Sequence, residues 1–191
     1  MSKLETNTID NISGSSTLNI GDTNATNITI DNGVTTLDFG TGISTVSNMP
    51  AAFKNTPAFH AYNNSAVSVS TNTATKVTNL NEVFDTNSAF ASDRFTVPSG
   101  QAGKYFIYGG VSFASDVIYP HCIFYVNGAQ SFNSEDNALS MGSTMRAAVS
   151  HKIFNLSASD YVELYTFQGS GATNTQSSGR TFFGGYKLIG V

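Results

Sequence analysis

The seven residues KYFIYGG, 104–110, limit the fold of this chain more than any other stretch. Successive side chains of a β-strand point to opposite faces. Tyr105 and Ile107 therefore share one face, and Phe106 and Tyr108 share the other. Both faces are bulky and apolar, whereas a strand at the surface of a sandwich carries one polar face. Such a strand must be covered on both sides. One cover is the core of its own domain. The other is either a further layer of the same monomer, with the strand buried centrally, or the surface of another subunit. TFFGGYKL (181–188) repeats the device, with Phe182 and Phe183 pointing opposite ways. The glycine pairs Gly109/Gly110 and Gly184/Gly185 allow close backbone approach or bulges.

The rest of the region from residue 57 onward is written in the same style. AFHAYNN, AVSVST, TKVTNL, RFTV, CIFYVNG, HKIFNLS and DYVELYTF are short runs rich in Val, Ile, Phe, Tyr and Thr. Turn clusters such as PSG, NG and GSG separate them. No segment sustains a helical period. The nearest candidate, LSMGSTMRAA (139–148), contains a glycine and reads as loop plus strand. Many short strands in one domain predict an all-β sandwich or jelly roll.

Residues 1–49 follow a different pattern, and Phe39 is their one aromatic residue. TLNIGD (17–22), NITIDN (27–32) and TLDFGT (36–41) stack in register about ten residues apart. Leu18/Ile20, Ile28/Ile30 and Leu37/Phe39 then align as the apolar positions of short strands closed by Gly, Asp or Asn. One such strand cannot bury its apolar face alone, whereas stacked rungs from several chains can. The region reads as a slender β-structured stalk with those six residues as its core; a polar tail that happens to alternate is the other reading. Residues 50–56, PAAFKNT, read as a linker, and 57–191 as the globular unit.

Charged residues make up 12% of the chain, about half of the ~25% usual in soluble domains. The formal net charge is −4, so no attraction to nucleic acid or an anionic membrane is expected. A single cysteine, Cys122, excludes an internal disulfide framework. The start MSKLETNTID has no apolar core of a secretory signal, and no apolar stretch is long enough to be expected to span a bilayer. The Asn-x-Ser/Thr triplets at Asn24, Asn27 and Asn155 read as chance in a chain rich in Asn and Thr.

The order of motifs after residue 57 resembles the C1q-like domain, the jelly roll shared with the tumour-necrosis-factor superfamily. AFHAYNN (58–64) resembles the opening strand and FTVPSGQAGKYFIY (95–108) the central signature. YVNG (125–128) fits a hairpin between two middle strands, LSASDYVELY (156–165) a turn leading into a strand, and FGGYKLIGV (183–191) the closing strand. Three departures stand out: GQA lengthens the turn before Gly103, Ile107 replaces the usual Phe, and Ser159 replaces the usual Gly. The resemblance implies a homotrimer. It places Tyr105, Ile107, Phe183, Tyr186 and Leu188 in the jelly-roll core, and Phe106, Tyr108 and Phe182 at the trimer interface. The leader SKLETNTIDNISGSSTLNIG resembles that of structural proteins from tailed phages of marine bacteria, in which a thin β-rich stem precedes a distal head.

Catalytic chemistry is not expected. His60, His121 and His151 are scattered without ligand spacing and read as strand residues. Cys122 sits in the apolar run CIFYV and reads as a small buried hydrophobe. SEDNALS (134–140) is the densest acidic spot and the one place where a calcium ion is conceivable; no other cofactor is expected. The polar stretches 128–144 and 168–180 read as loops on a rigid scaffold, where binding residues concentrate. Asn133, Glu135, Asp136, Asn137, Asn174, Gln176 and Arg180 are their candidate receptor-facing residues.

Together these readings predict a virion protein, made in the host cytoplasm. It is a trimeric head or tail fibre whose N-terminal region docks to other virion proteins and whose knob binds a host surface receptor or glycan. The alternatives are a decoration or tail-joining protein that contacts no host, and a free C1q-like adhesion module.

Overall fold

The computed structural model describes residues 54–131, 135–140 as backbone, 146–171, 173–176 and 179–189. The chain divides into two units, 1–46 and 47–191, and every described residue lies in the second. The stalk positions Leu18, Ile20, Ile28, Ile30, Leu37 and Phe39, and the loop residue Asn133, lie outside the described residues.

Two antiparallel six-stranded sheets form the body of this unit. The first contains β1 (Ala58–Asn63), β4 (Leu80–Asp85), β7 (Gly103–Phe113), β10 (Glu135–Ser140), β11 (Arg146–Leu156) and β14 (Phe182–Lys187), in the order β10-β11-β7-β14-β1-β4. The second runs β5-β6-β12-β8-β9, with β3 also paired to β12. Its strands are β3 (Thr75–Lys76), β5 (Phe90–Ala91), β6 (Arg94–Thr96), β8 (His121–Val126), β9 (Ala129–Gln130) and β12 (Tyr161–Phe167). A short ribbon joins β2 (Ser68–Val69) to β13 (Thr173–Asn174).

The core between the sheets is aromatic, and alternation decides its membership. Phe59 from β1 stacks on Phe95 at 4.7 Å and on Phe90 at 5.2 Å, and meets Phe183 edge-on at 4.9 Å. Phe124 adds edge or stacked contacts to Phe154 and Phe183. Tyr105, Ile107, Val111 and Phe113, alternate residues of β7, are all buried on this side. Tyr186 and Leu188 do not join them, which corrects the reading from resemblance. Tyr186 has the parity of Phe182 and lies opposite Phe106, so its ring falls on the outer face of the sheet, 5.5 Å from that of Phe106. Leu188 is half-buried just beyond the end of β14, where its amide donates to the Lys104 carbonyl.

Two departures from the family pattern have visible consequences. In the lengthened elbow, Gly100 takes φ +72° and the Gln101 amide donates to the Pro98 carbonyl, closing a turn. The Gln101 carbonyl then accepts the Tyr105 hydroxyl at 2.6 Å, so the inserted residues supply the partner a buried phenol needs. Burial pushes that phenol up to about 12. Ser159 sits at φ +72°, a left-handed position natural to glycine, with Asp160 accepting the Ser157 amide at 2.7 Å beside it.

Candidate functional site

The outer face of the first sheet is the most unusual surface of the unit. Phe106 and Tyr108 of β7, Phe182 and Tyr186 of β14, and His60 of β1 lie side by side across three adjacent strands. Ring centroids between neighbours are 5.5–6.3 Å apart, a continuous aromatic sheet surface. Phe84 of β4 extends it on one side, 46% exposed, and Ile153 of β11 on the other, 56% exposed. His151 lies opposite Tyr108 and its ring is 5.9 Å from that of Phe106. The other rings are half-buried by one another.

Glycine makes this carpet lie flat. Gly110 is the cross-strand partner of Phe182, and Gly184 that of Tyr108. A Cβ on Gly110 would fall 2.6 Å from the Phe182 ring, and one on Gly184 would overlap the Tyr108 ring. The glycine–aromatic alternation of the sequence thus lets each ring lie across its partner strand rather than stand out from it. The Tyr108 hydroxyl is within 3.1 Å of His60 Nδ1. Desolvation pushes the Tyr108 phenol up, with Tyr186 adding to the effect, and holds His60 below its ordinary value.

The outer face of the second sheet is finished within the chain. Glu163, 4% exposed, accepts from Lys76 Nζ at 2.8 Å and from Arg94 at 2.7 Å. Arg94 also covers the Tyr161 ring at 3.8 Å, and Tyr125 stacks on Tyr165 at 3.8 Å. Burial pushes the Glu163 carboxyl up, but the hydrogen bonds and charges of Lys76 and Arg94 outweigh it and hold it below its ordinary 4.5. This contribution to stability is complete above the ordinary carboxylate value and is lost as pH falls through the lowered one. Both cations reach solvent, so Glu163→Gln should cost about 2 kcal/mol at neutral pH, below the 3–5 kcal/mol of a fully buried pair. Urea midpoints followed from neutral to acid pH should fall less steeply in the variant than in the wild type.

The residues expected on loops fare unevenly. Glu135, Asp136 and Asn137 are in β10, paired with His151, Ser150 and Val149, which corrects their placement on a loop. The described residues of 168–180 are stitched into the fold rather than free. Gln168 is fully buried, donating to the Val69 and Gly171 carbonyls and accepting the Ser170 amide. Asn174 pairs with Ser68, and the Gln176 amide donates to the Ser112 carbonyl at 2.6 Å. Gln176 is half-buried; Asn174 and Arg180 are exposed. His121 and His151 lie on different sheets, and Cys122 is buried. Among the described residues no three of His, Cys, Asp and Glu gather as a metal site.

Sequence reasoning passed over His60, Phe84 and Ile153, and put Tyr186 on the wrong face. Parity could have found two of these. In AFHAYN, His60 is out of phase with Phe59 and Ala61, and in FFGGYK, Tyr186 is in phase with Phe182.

Two facing antiparallel sheets, with the first and last strands side by side within one of them, define the C1q and tumour-necrosis-factor type of jelly roll. Solved structures of this fold are similar to the chain. Murine APRIL shares 19% identity with a TM-score of 0.52, covering 69% of this chain and 98% of that one. The globular domain of zebrafish complement 1qA protein shares 16% identity with a TM-score of 0.51, covering 70% and 98%. No protein-family model matches the chain, and no curated protein matches it.

Proposed function

We propose that this protein is a homotrimeric virion fibre of a tailed phage, without enzymatic activity, whose C-terminal jelly roll is the knob that meets the host surface. The observation that carries the trimer is the uncovered aromatic face of the first sheet. Rings that are half-buried by one another, flanked by exposed Phe84 and Ile153, gain most from being covered by neighbouring copies of the chain. The second sheet, closed by its own ion pairs, has no such need. Closed rotational symmetry satisfies every protomer alike. The virion assignment rests on the leader 2–21 and the alternating repeats at 17–41, which suit a stem ahead of a distal head. Three knobs on one stem give three copies of any host-binding site, so weak individual contacts add up to avid attachment.

The test is an antibody raised against residues 57–191, applied to tailed particles whose genome encodes this chain. It should label the particle at a projecting tip and reduce adsorption to host cells. Labelling without loss of adsorption would favour a decoration or joining protein. Particles that lack the protein would leave a free adhesion module.

A further inference from the structure

We propose that His60 makes the trimer acid-labile, so that assembly holds at neutral pH and is released in mildly acidic surroundings; the inference rests on the trimeric reading above. His60 lies within the aromatic face. Its ring stacks on Phe84 at 6.3 Å and on Tyr108 at 5.9 Å, and Phe182 lies 6.3 Å away. Its ring Nδ1 is hydrogen-bonded to the Tyr108 hydroxyl. Among the described residues, the elements packed around it supply rings rather than counter-charges. From β7 it faces Tyr108, from β14 the Gly184 backbone between Phe182 and Tyr186, and from β4 Phe84. On its own strand Tyr62 is the remaining titratable group, and His151 lies beyond Tyr108 on β11. The nearest carboxylates along β4 belong to other partners: Asp85 lies opposite Phe59 and accepts the Asn87 and Phe90 amides, and Glu82 lies opposite Ala61.

A neutral imidazole is bonded to the Tyr108 hydroxyl in either tautomer, Nδ1 accepting from it or donating to it. Among the described residues, a protonated ring would be a cation with no anion facing it. In one chain the face is open to water and the cation is tolerable. A partner laid over it removes that water, and the charged form becomes costly. Burial within the single chain already disfavours the charged form. A base whose value falls on assembly binds more protons when dissociated. Trimer stability is therefore full above the value His60 has in the single protomer, itself below the ordinary 6.5, and is lost as pH drops through it. Each of three protomers contributes one such proton, so the transition is steep.

The experiment is light-scattering mass of the full chain at micromolar concentration, at about pH 8 and about pH 5, with far-UV circular dichroism alongside. The wild type should run as three protomers at the higher pH and as one folded protomer at the lower. His60→Gln keeps an acceptor for Tyr108 but cannot charge, and should remain trimeric at both. His121→Gln, on the second sheet, should dissociate like the wild type. A wild-type trimer unchanged at about pH 5, or a His60→Gln variant that still dissociates there, overturns the switch and leaves the trimer standing. A monomer at about pH 8 overturns both.

Discussion

Replacing Phe106 and Tyr108 together with serine should leave a folded monomer. Light-scattering mass at micromolar concentration should fall from three protomers to one, while the far-UV spectrum keeps its β signature. The argument compares what each state loses. The two rings are half-buried in the single chain, so a partner covers roughly their other half. At 150–250 Å² per ring that is about 200 Å² per protomer, or about 5 kcal/mol at ~25 cal/mol per Å². Every 1.4 kcal/mol is tenfold in an association constant. The fold loses a similar amount in each protomer, but the association constant of a trimer carries the interface loss of three protomers together. Neither side chain points into the core, which holds Tyr105 and Ile107 on the opposite face. The losses are the Tyr108–His60 hydrogen bond and the half of each ring already packed within the chain, about 200 Å² or about 5 kcal/mol per protomer by the same conversion. A double variant that stays trimeric would move the subunit contact to another surface and remove the basis for the His60 switch.

Much of this was legible in the chain, and the misses have definite causes. The all-β class followed from short runs of β-branched and aromatic residues without a helical period. The two-sided nature of β7 followed from alternation, because each side of KYFIY is too apolar to face water. Tyr186 was misplaced because resemblance was allowed to outrank parity: Phe182, Gly184 and Tyr186 must share a face whatever a family does at that position. Phe84 was invisible for a different reason. A bulge in β4 leaves Val83 unpaired between Glu82 and Phe84, and no local pattern announces where a register shifts. The polar composition of 135–140 suggests a loop, yet it forms an edge strand on β11, where pairing to a neighbour overrides weak propensity. The same holds for 168–180. Its Gly, Ser, Thr and Asn look like solvated loop, but buried Gln168 and Thr175 tie it down, and such long-range hydrogen bonds leave no trace in a local window. The elbow at 98–103 shows the reverse: an insertion that loosened the family match proves to carry the carbonyl that satisfies Tyr105.

The largest single-residue effect on the fold itself should come from Phe59→Ala. Phe59 is 1% exposed and stands where the sheets meet: its ring stacks on Phe90 and Phe95 and meets Phe183 edge-on. The first two come from β5 and β6 of the second sheet, and the third from β14 of the first. Truncation therefore removes contacts across the sandwich and within one sheet at once. The cavity cannot close easily, because Phe95 is itself fixed against Tyr105 at 5.4 Å and Phe183 against Phe124 at 6.2 Å. Phenylalanine-to-alanine changes in such settings cost about 3–5 kcal/mol, the upper part of the range applying where neighbours cannot collapse. Against a typical domain stability of about 5–15 kcal/mol this is a large share. With a slope of about 2 kcal/mol per molar, the urea midpoint should drop by about 2 M. The measurement belongs on the Phe106/Tyr108 double-serine background, where unfolding is free of the concentration dependence that a trimer imposes. A midpoint within about 0.5 M of the parent would mean that the core repacks around the vacancy, and that the Phe59 cluster is less rigid than its interlocked rings require.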